Sequence, residues 1–454
     1  MLRTFARYNS FKSTATLKKP VFDIKSILGR EDEMRSSIRR RQTDNMADLD
    51  LLIENRPVEI SLQNERNNLV HERKTLSANS LNILKAKASA EKDALLKKLQ
   101  VLKEAIAETE VKLSDLAAKN HRAAESLPNW IDPSAPKDPA IAEVHLFING
   151  VDQEEIEALL PVNDFDHKTV GERFKLVELA KAAKISGMSW YYLINDGALL
   201  EQALVQYALA RARKAGYKMV IPPSIVRTEI ANACGFKPRD QNGEKQVYRI
   251  EGEPLSLTGT AEIPLGALHS LEIMKGPAKY VGVSRSYRAE AGARGKDTAG
   301  LYRVHEFTKV ELFHFANPES STKELEDLRE LQTSIITDLG IKAKMLNMPT
   351  TDLGAPAMKK YDCEAWMPGR GSWGELTSCS NCGEYQSRRL GIRHYNSQGE
   401  LEYVHTLNGT AMAVPRVIVA IIEQFYNPAS DSIAIPTVLQ PYMDGKEFIT
   451  VTSN

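Results

Sequence analysis

The stretch that most constrains the fold covers residues 280–315, where two alternating runs rich in β-branched and aromatic residues flank a glycine-containing loop. This pattern predicts a long β-hairpin. Residues two apart on a strand share a face, and the second strand therefore places one polar set on one side: Arg303, His305, Phe307, Lys309 and Glu311. The opposite side is mostly apolar: Tyr302, Val304, Val310 and Leu312. The polar side is costly to bury without partners. It fits either a solvated surface or the floor of a site for a small charged ligand with a planar part.

Length and composition exclude several classes of protein. The 454 residues suffice for two or three domains. The formal net charge is zero, so any contact with a polyanion depends on local patches rather than on bulk charge. No run approaches the length of a transmembrane helix, and no membrane partner is expected. The few cysteines indicate a reducing compartment rather than a disulfide scaffold: Cys234, Cys363, Cys379 and Cys382.

The first 22 residues have the composition of a mitochondrial transit peptide. They are basic, rich in serine and threonine, and contain no acidic residue before Asp23. An unstructured basic tail is the alternative. We therefore predict a transit peptide over residues 1–22 and a location in the mitochondrial matrix.

Residues 23–127 are helical in composition and carry a heptad seam. The apolar positions of the seam are separated by alternating steps of four and three, and Thr109 fills one gap: Leu95, Leu99, Leu102, Ile106, Leu113 and Leu116. Residues 77–80 offer a turn before this helix. The pattern predicts an antiparallel coiled coil whose helices of some thirty residues extend roughly 45 Å. Its lysines and arginines fit either a solvated surface or a nucleic-acid contact.

After a linker with four prolines at residues 128–140, residues 141–454 are predicted to form the catalytic domain. Few helices and many hairpin-linked strands indicate an α+β domain built on an antiparallel β-sheet flanked by helices. Helices are expected at residues 196–214 and about 320–339, and a third contains Pro415 in its first turn. The Pro222-Pro223 pair places its strand at a sheet edge or an interface.

Three short patterns do not carry chemistry by themselves. Residues 369–374 match a dinucleotide-binding glycine pattern, but no helix pattern follows, so we predict a turn. Cys379 and Cys382 have the spacing of half a zinc site with no second pair, and no zinc is expected. The chain also lacks the GxxxxGK[ST] loop, so any ATP must be held in another way.

Taken together, the motifs resemble those of class II aminoacyl-tRNA synthetases, specifically the seryl-tRNA synthetases. Residues 216–226 resemble motif 1, residues 284–313 resemble motif 2, and residues 407–425 resemble motif 3. The sequence Thr260-Ala261-Glu262, the block at 374–382 and the predicted coiled-coil arm resemble features of the seryl type. Ala411 and Pro415 replace the usual glycines of motif 3, and we expect its geometry to survive.

The resemblance implies that ATP and Mg²⁺ take part. Arg288 would hold the α-phosphate, Glu290 the adenine amino group and Arg416 the γ-phosphate, while Phe307 would stack on adenine. Glu375 and Ser378 would coordinate Mg²⁺ as hard oxygen ligands. The full nucleotide set implied is Arg288, Ala289, Glu290, Val304, His305, Glu306, Phe307, Glu375, Leu376, Thr377, Ser378 and Arg416.

For serine, the resemblance implies that Glu311 accepts a hydrogen bond from the substrate hydroxyl and that Glu262 meets the ammonium group. The serine-binding set implied is Thr260, Ala261, Glu262, Arg288, Glu311 and Thr410. Arg288, Glu311 and Arg416 would be the catalytic residues. The serine carboxylate would attack the α-phosphate, and the terminal ribose of tRNA-Ser would then accept the seryl group.

The resemblance also implies two partners. The coiled coil would contact tRNA-Ser by shape and backbone, and a second copy of the chain would pair through motif 1 at Pro223. Arg294 and Lys296 would guide the acceptor end of the tRNA. Two other hypotheses stand beside this one: a non-catalytic RNA-binding paralogue, and a class II synthetase for another amino acid.

Overall fold

The computed structural model describes residues 17–80, 83, 90–159, 162–236, 246–289 and 300–451. The chain forms two compact units. One is Phe22–Trp130, and the other combines Ile131–Asn454 with the residues up to Val21. Glu290, Arg294 and Lys296 lie outside the described residues, so the roles expected for them stay predictions.

The first unit consists of helices α1 (Ile24–Gly29), α2 (Glu31–Arg41), α3 (Met46–Asn79) and α4 (Ala90–Ser126). Three contacts set the register of the two long helices: Ser126 Oγ donates to Asp48 at 2.6 Å, Asn55 to Asn120 at 2.7 Å, and Arg66 pairs with Glu110 at 2.9 Å. The residue numbers rise along α3 as they fall along α4, so the pair is antiparallel, as predicted.

The heptad seam faces the partner helix. Leu95, Ile106 and Thr109 are buried, and the other seam leucines are partly buried. The Thr109 hydroxyl donates to the carbonyl of Ala105 at 2.9 Å, which satisfies the one polar group in the seam. Helix α3 ends at Asn79, in agreement with the predicted turn.

The second unit is built on an eight-stranded sheet. Its strands in chain order are β1 (Glu143–Ile148), β2 (Lys218–Val220), β3 (Ala278–Tyr287), β4 (Glu306–Ala316), β5 (Ala343–Asn347), β6 (Lys359–Met367), β7 (Ser372–Asn381) and β8 (His405–Ala413). Their spatial order is β1-β5-β6-β7-β8-β4-β3-β2. Every neighbouring pair is antiparallel except β2 with β3. The predicted α+β class is therefore confirmed.

Helices and short strands surround this sheet. The helices are α5 (Gln153–Glu157), α6 (His167–Arg173), α7 (Leu179–Ser186), α8 (Asn195–Lys214), α9 (Thr228–Ala233), α10 (Glu262–Gly266), α11 (Ser321–Asp338), α12 (Tyr385–Leu390) and α13 (Val414–Phe425). The short strands are Val177–Glu178, Tyr192–Leu193, Ile225–Arg227, Leu255–Leu257, Ile273–Met274, Arg393–Tyr395, Leu401–Tyr403, Tyr426–Asn427, Ser432–Ala434 and Phe448–Thr450. No helix among the described residues is long and apolar enough to span a membrane.

The central hairpin is formed by β3 and β4, but its second strand is shorter than predicted. It begins at Glu306, and residues 301–305 approach it without regular structure. One further bond, from Arg288 N to the His305 carbonyl at 2.9 Å, ends the pairing, and His305 N turns away to the carbonyl of Ser189. The predicted alternation is therefore correct from Phe307 onward and wrong for residues 302–305.

Two expectations near the sheet edge can be compared with the structure. Strand β2 lies at the edge, directly before Pro222 and Pro223, as predicted. The proline-rich segment after Trp130 is not a free tether, because Asp132 N donates to the carbonyl of Met358 at 3.0 Å.

Residues 17–21 pack on the second unit. Leu17 contacts the apolar cluster that contains Val226 and Leu390, and Arg388 Nη1 donates to the Val21 carbonyl at 2.8 Å. These residues belong to the stretch expected to be removed as a transit peptide. We therefore expect processing to end before Leu17.

A chain without residues 1–21 should melt about 1–3 °C lower than a chain without residues 1–16, the effect of losing one half-buried leucine. Scanning calorimetry of the two truncated chains measures this difference. N-terminal sequencing of the mature protein gives an independent check, and a mature chain beginning after Val21 would contradict the expectation.

Candidate active site

A cleft partly open to solvent lies over strands β4, β7 and β8 and the start of α13. It brings together eight residues of the implied nucleotide and serine sets: Arg288, Val304, Phe307, Glu375, Leu376, Ser378, Thr410 and Arg416. Six other lining residues were not assigned a role from the sequence: Leu301, Tyr302, Arg303, Lys309, Ala413 and Pro415. Motif 2, motif 3 and the 374–382 block thus each contribute residues to this one cleft.

One end of the cleft is a cation–carboxylate pair. Arg416 Nη1 lies 3.1 Å from Glu375 Oε2 and donates to the Glu375 carbonyl at 3.2 Å. Its guanidinium lies over the Tyr302 ring at 4.8 Å. Burial opposes ionisation of Glu375, but the positive charges of Arg416, Lys360 and Arg288 outweigh that cost and lower the pKa of this carboxyl. The Glu375 side chain remains 37% exposed, so its negative charge can be reached from the cleft.

The middle of the cleft is formed by Arg288 and Phe307. The Arg288 guanidinium carbon lies 5.2 Å from the centre of the Phe307 ring, and Arg288 Nε donates to the Gly259 carbonyl at 3.4 Å. This cation–π contact shows that a face of Phe307 accepts a planar group inside the cleft.

Beneath the cleft lies a buried polar cluster. Lys309 Nζ lies 2.5 Å from Glu311 Oε2 and donates to Thr260 Oγ1 at 3.1 Å. The Thr260 hydroxyl in turn donates to Glu311 Oε2 at 3.0 Å. Glu311 is 1% exposed and lies directly opposite Thr410 in the β4–β8 register. The strand therefore buries a charge that is paired and hydrogen-bonded, the condition under which buried charge is tolerated.

Glu262 forms the far wall of this cluster. Its Oε1 accepts from Gln386 Nε2 at 2.7 Å and from Asn408 Nδ2 at 3.0 Å. Burial and the nearby negative charge of Glu311 raise the pKa of Glu262 to about 7. A neighbouring ammonium group would reverse that shift by favouring the ionised form.

Several implied residues do not line the cleft. The Glu306 side chain pairs with Arg285 Nε at 3.0 Å, and the His305 ring stacks on Trp190. The Ala289 amide donates to the Gln246 carbonyl at 3.1 Å. Ala261 and Thr377 are buried. These positions can serve a ligand only through the backbone or by supporting their neighbours.

Sequence reasoning missed the residues that support the polar cluster. Gln386 and Asn408 lie 124 and 146 residues from Glu262 in the chain, so no local pattern links them. Gln332 was also missed. Its Nε2 donates to the carbonyls of Ser378 and Thr410 at 2.8 and 2.9 Å and so joins β7 to β8 beneath the cleft. The place of Lys309 in the site could have been recognised from the sequence, because Lys309 shares a strand face with Phe307 and Glu311.

Comparison with known proteins decides the family. Residues 246–425 match the class II tRNA synthetase core domain (G, H, P, S and T), and residues 21–131 match the seryl-tRNA synthetase N-terminal domain. The chain is 45% identical to the mitochondrial serine–tRNA ligase of Saccharomyces cerevisiae, over 95% of this chain and 97% of the relative. The chain belongs to the seryl-tRNA synthetase family. It is also 38% identical to the serine–tRNA ligase of Treponema denticola, over 93% of this chain and 98% of that one.

A solved seryl-tRNA synthetase gives the same result. The structure of the Pyrococcus horikoshii enzyme complexed with ATP matches with a TM-score of 0.87 at 33% identity, covering 95% of this chain and all of the other. The predicted resemblance to the seryl-tRNA synthetases is confirmed. The roles assigned to single residues of this seryl-tRNA synthetase stay predictions.

The residues implied for Mg²⁺ fit that ion chemically. Glu375 offers an ionised carboxylate and Ser378 a hydroxyl, and both line the same cleft. Both are hard oxygen donors, and Mg²⁺ commonly keeps several water or phosphate ligands beside one or two protein ligands.

The raised pKa of Glu262 predicts how stability depends on pH. The folded pKa of about 7 exceeds the ordinary value near 4.5, so the folded state binds the proton more tightly than the unfolded state. The corresponding stability is present below about pH 4.5 and is lost as the pH rises through 7. Glu262→Gln keeps an acceptor oxygen for Gln386 and Asn408 but carries no charge. The variant should therefore be more stable than the unchanged protein above pH 8, by about 2–3 kcal/mol.

Urea unfolding at pH 5 and at pH 8.5 measures this difference. The exposed Glu251→Gln is the control, and its effect should be the same at both pH values. A Glu262→Gln variant that is less stable than the unchanged protein at pH 8.5 would contradict the pKa shift.

Proposed function

We propose that the protein activates serine with ATP and transfers the seryl group to tRNA-Ser in mitochondria. The observation that carries this proposal is the cleft with cationic groups at Arg288 and Arg416, together with the buried carboxylate of Glu311 beneath it, which pairs with the cleft residue Lys309. Its family membership and the mitochondrial relatives support the reaction and the compartment.

The nucleotide would lie between Arg288 and Arg416. Two guanidinium groups suit a triphosphate, because each can donate two parallel hydrogen bonds to phosphate oxygens. Adenine would stack on Phe307 at the place now contacted by Arg288. Arg416 would leave Glu375 in part to hold the γ-phosphate. When bound, Mg²⁺ at Glu375 and Ser378 would offset negative charge on the phosphates.

Serine would lie toward the polar cluster. Its hydroxyl would donate to Glu311, near Thr410, and its ammonium group would lie near Thr260 and Glu262. Lys309 already holds Glu311 Oε2, so serine must share or replace that contact. Alanine lacks the hydroxyl and would leave a buried carboxylate oxygen unpaired, which is the basis for its rejection.

The reaction requires no protein nucleophile. The serine carboxylate attacks the α-phosphate in line and pyrophosphate leaves, which gives seryl-adenylate. The ribose hydroxyl of the tRNA then attacks the seryl carbonyl carbon and loses its proton, and AMP leaves. The chain's contribution is to align the reactants and to place Arg288 where negative charge grows at the α-phosphate.

The coiled coil and the sheet edge supply the two macromolecular contacts. Lys97 and Lys98 are exposed on α4 and can meet the phosphate backbone of tRNA-Ser. At the edge of the second unit, Ile221 is 84% and Met219 52% exposed beside Pro222 and Pro223. Apolar side chains on an open sheet edge favour pairing with a second copy of the chain.

Serine-dependent exchange of pyrophosphate into ATP tests the first step. The purified protein should support exchange with serine. Arg288→Ala should lower the rate by a factor on the order of 100 or more, because it removes the charge facing the α-phosphate. Arg285→Ala is the matched control, since that arginine pairs with Glu201 and Glu306 outside the cleft.

Two other results would change the proposal. Exchange with threonine or proline instead of serine would contradict the substrate. No exchange with any amino acid would favour a non-catalytic RNA-binding paralogue.

Deleting residues 62–113 should separate the two steps. The register places these ends close together, so a short glycine loop can rejoin α3 to α4. The shortened protein should keep serine-dependent exchange but lose charging of tRNA-Ser. Equal loss of both activities would contradict a role of the arm in tRNA binding.

A further inference from the structure

A buried histidine–carboxylate pair lies outside the residues assigned to substrates. His167 begins α6 and Glu423 lies in α13, and they are 3% and 1% exposed. Glu423 Oε1 lies 2.7 Å from His167 Nδ1 and accepts from the His167 backbone N–H at 3.2 Å. Glu423 Oε2 accepts from the Gly369 N–H at 2.8 Å. Both carboxylate oxygens are therefore engaged.

The second ring nitrogen assigns the tautomer of His167. The backbone N–H of Leu301 donates to His167 Nε2 at 3.2 Å. An amide N–H can only donate, so Nε2 accepts, and the ring proton lies on Nδ1, from which it is donated to Glu423. The ring is neutral and both nitrogens are used.

This bonding argues against a metal at the same place. Asp166, His167 and Glu423 have their ligand atoms within 4.8 Å of one another. However, the only lone pair of His167 faces Leu301, and the Asp166 carboxylate accepts from the N–H groups of Lys168 and Thr169 to cap α6.

Two glycines leave the space that the contact needs. A Cβ on Gly300 would lie 2.3 Å from His167 Nε2, and the φ of +128° there already disfavours other residues. A Cβ on Gly369 would lie 2.5 Å from the Asp166 Cα. The close approach of three chain segments around His167 therefore depends on positions without side chains.

The three segments that meet at His167 also build the nucleotide end of the cleft. Leu301 precedes Tyr302, whose ring lies under the Arg416 guanidinium. Glu423 follows Arg416 by seven residues, which places both on one side of α13. Gly369 lies in the turn that leads into β7, the strand of Glu375.

We propose that His167 is a positioning residue for ATP. Its neutral ring ties Leu301 to Glu423 and thereby fixes Tyr302 beneath Arg416. This role rests on the proposed function, which assigns that end of the cleft to the triphosphate.

Two substitutions at the same position separate its two bonds. In His167→Asn the side-chain amide takes the place of Nδ1 and can still donate to Glu423, but nothing accepts from Leu301. In His167→Gln the amide oxygen takes the place of Nε2 and can still accept from Leu301. The side-chain donor to Glu423 is lost, while the backbone N–H of the same residue still donates to it. A role in general stability predicts that binding and melting temperature fall together in both variants.

The positioning role predicts that ATP binding and stability separate between the two variants. His167→Asn should raise the KM for ATP about tenfold, the effect of one lost buried hydrogen bond, with little change in the KM for serine, and it should melt at a lower temperature because the buried N–H of Leu301 is left without its acceptor. His167→Gln should bind ATP more nearly normally but melt at a lower temperature. His314→Asn is the matched control. His314 Nδ1 lies 2.9 Å from Glu324 Oε2 in a similar buried pair, and neither residue lines the cleft. This control variant should leave the KM for ATP unchanged.

Pyrophosphate exchange gives the KM values, and calorimetric titration with a non-hydrolysable ATP analogue gives affinity without catalysis. An unchanged affinity for the analogue in His167→Asn would overturn the inference, as would an equal rise in the KM for serine. Absence of exchange in the unchanged protein would contradict the proposed function instead, and the titration would still decide the role of His167.

Discussion

The candidate site depends on the two faces of strand β4. Val310 and Leu312 are fully buried in the main apolar core, while Lys309 and Glu311 point to the opposite side and form a buried ion pair. Because side chains alternate along a strand, a slip of one residue would place the charges in the core and the aliphatic groups in the cleft. The burial of the apolar face therefore determines which side chains of β4 point toward the cleft. The position of Glu311 opposite Thr410 follows from this register.

The carboxylates of the cleft show how environment separates residues of one type. Glu375 lies among positive charges, and its pKa is lowered. Glu262 is buried with amide donors beside the negative charge of Glu311, and its pKa is raised. One end of the cleft thus holds the guanidinium groups that suit phosphate. At the other end the positive charges of Lys309 and Arg288 do not offset the burial of Glu262 and the negative charge of Glu311, so an added ammonium group would be favoured there. This polarity agrees with the orientation proposed for ATP and serine.

The features predicted from sequence were those with a local period. The heptad seam and the alternation after Phe307 each repeat within a few residues, so the antiparallel helices and the central hairpin could be recognised. Residues 302–305 could not, because the partner that turns His305 away is the backbone of Ser189, more than a hundred residues earlier. The donors to Glu262 were missed for the same reason. Gln386 and Asn408 reach it only after β7, α12 and β8 have packed.

Gly369 shows why a short pattern needs its surroundings. The glycine pattern at 369–374 resembles a dinucleotide signature, but strand β7 follows it instead of a helix, in agreement with the predicted turn. The structure supplies a different physical reason for its first glycine. The Gly369 N–H donates to Glu423, and a side chain at Gly369 would collide with Asp166. Gly369 thereby joins the turn before β7 to α13, the helix that carries Arg416. It contributes to the cleft by allowing this close packing and not by binding a ligand.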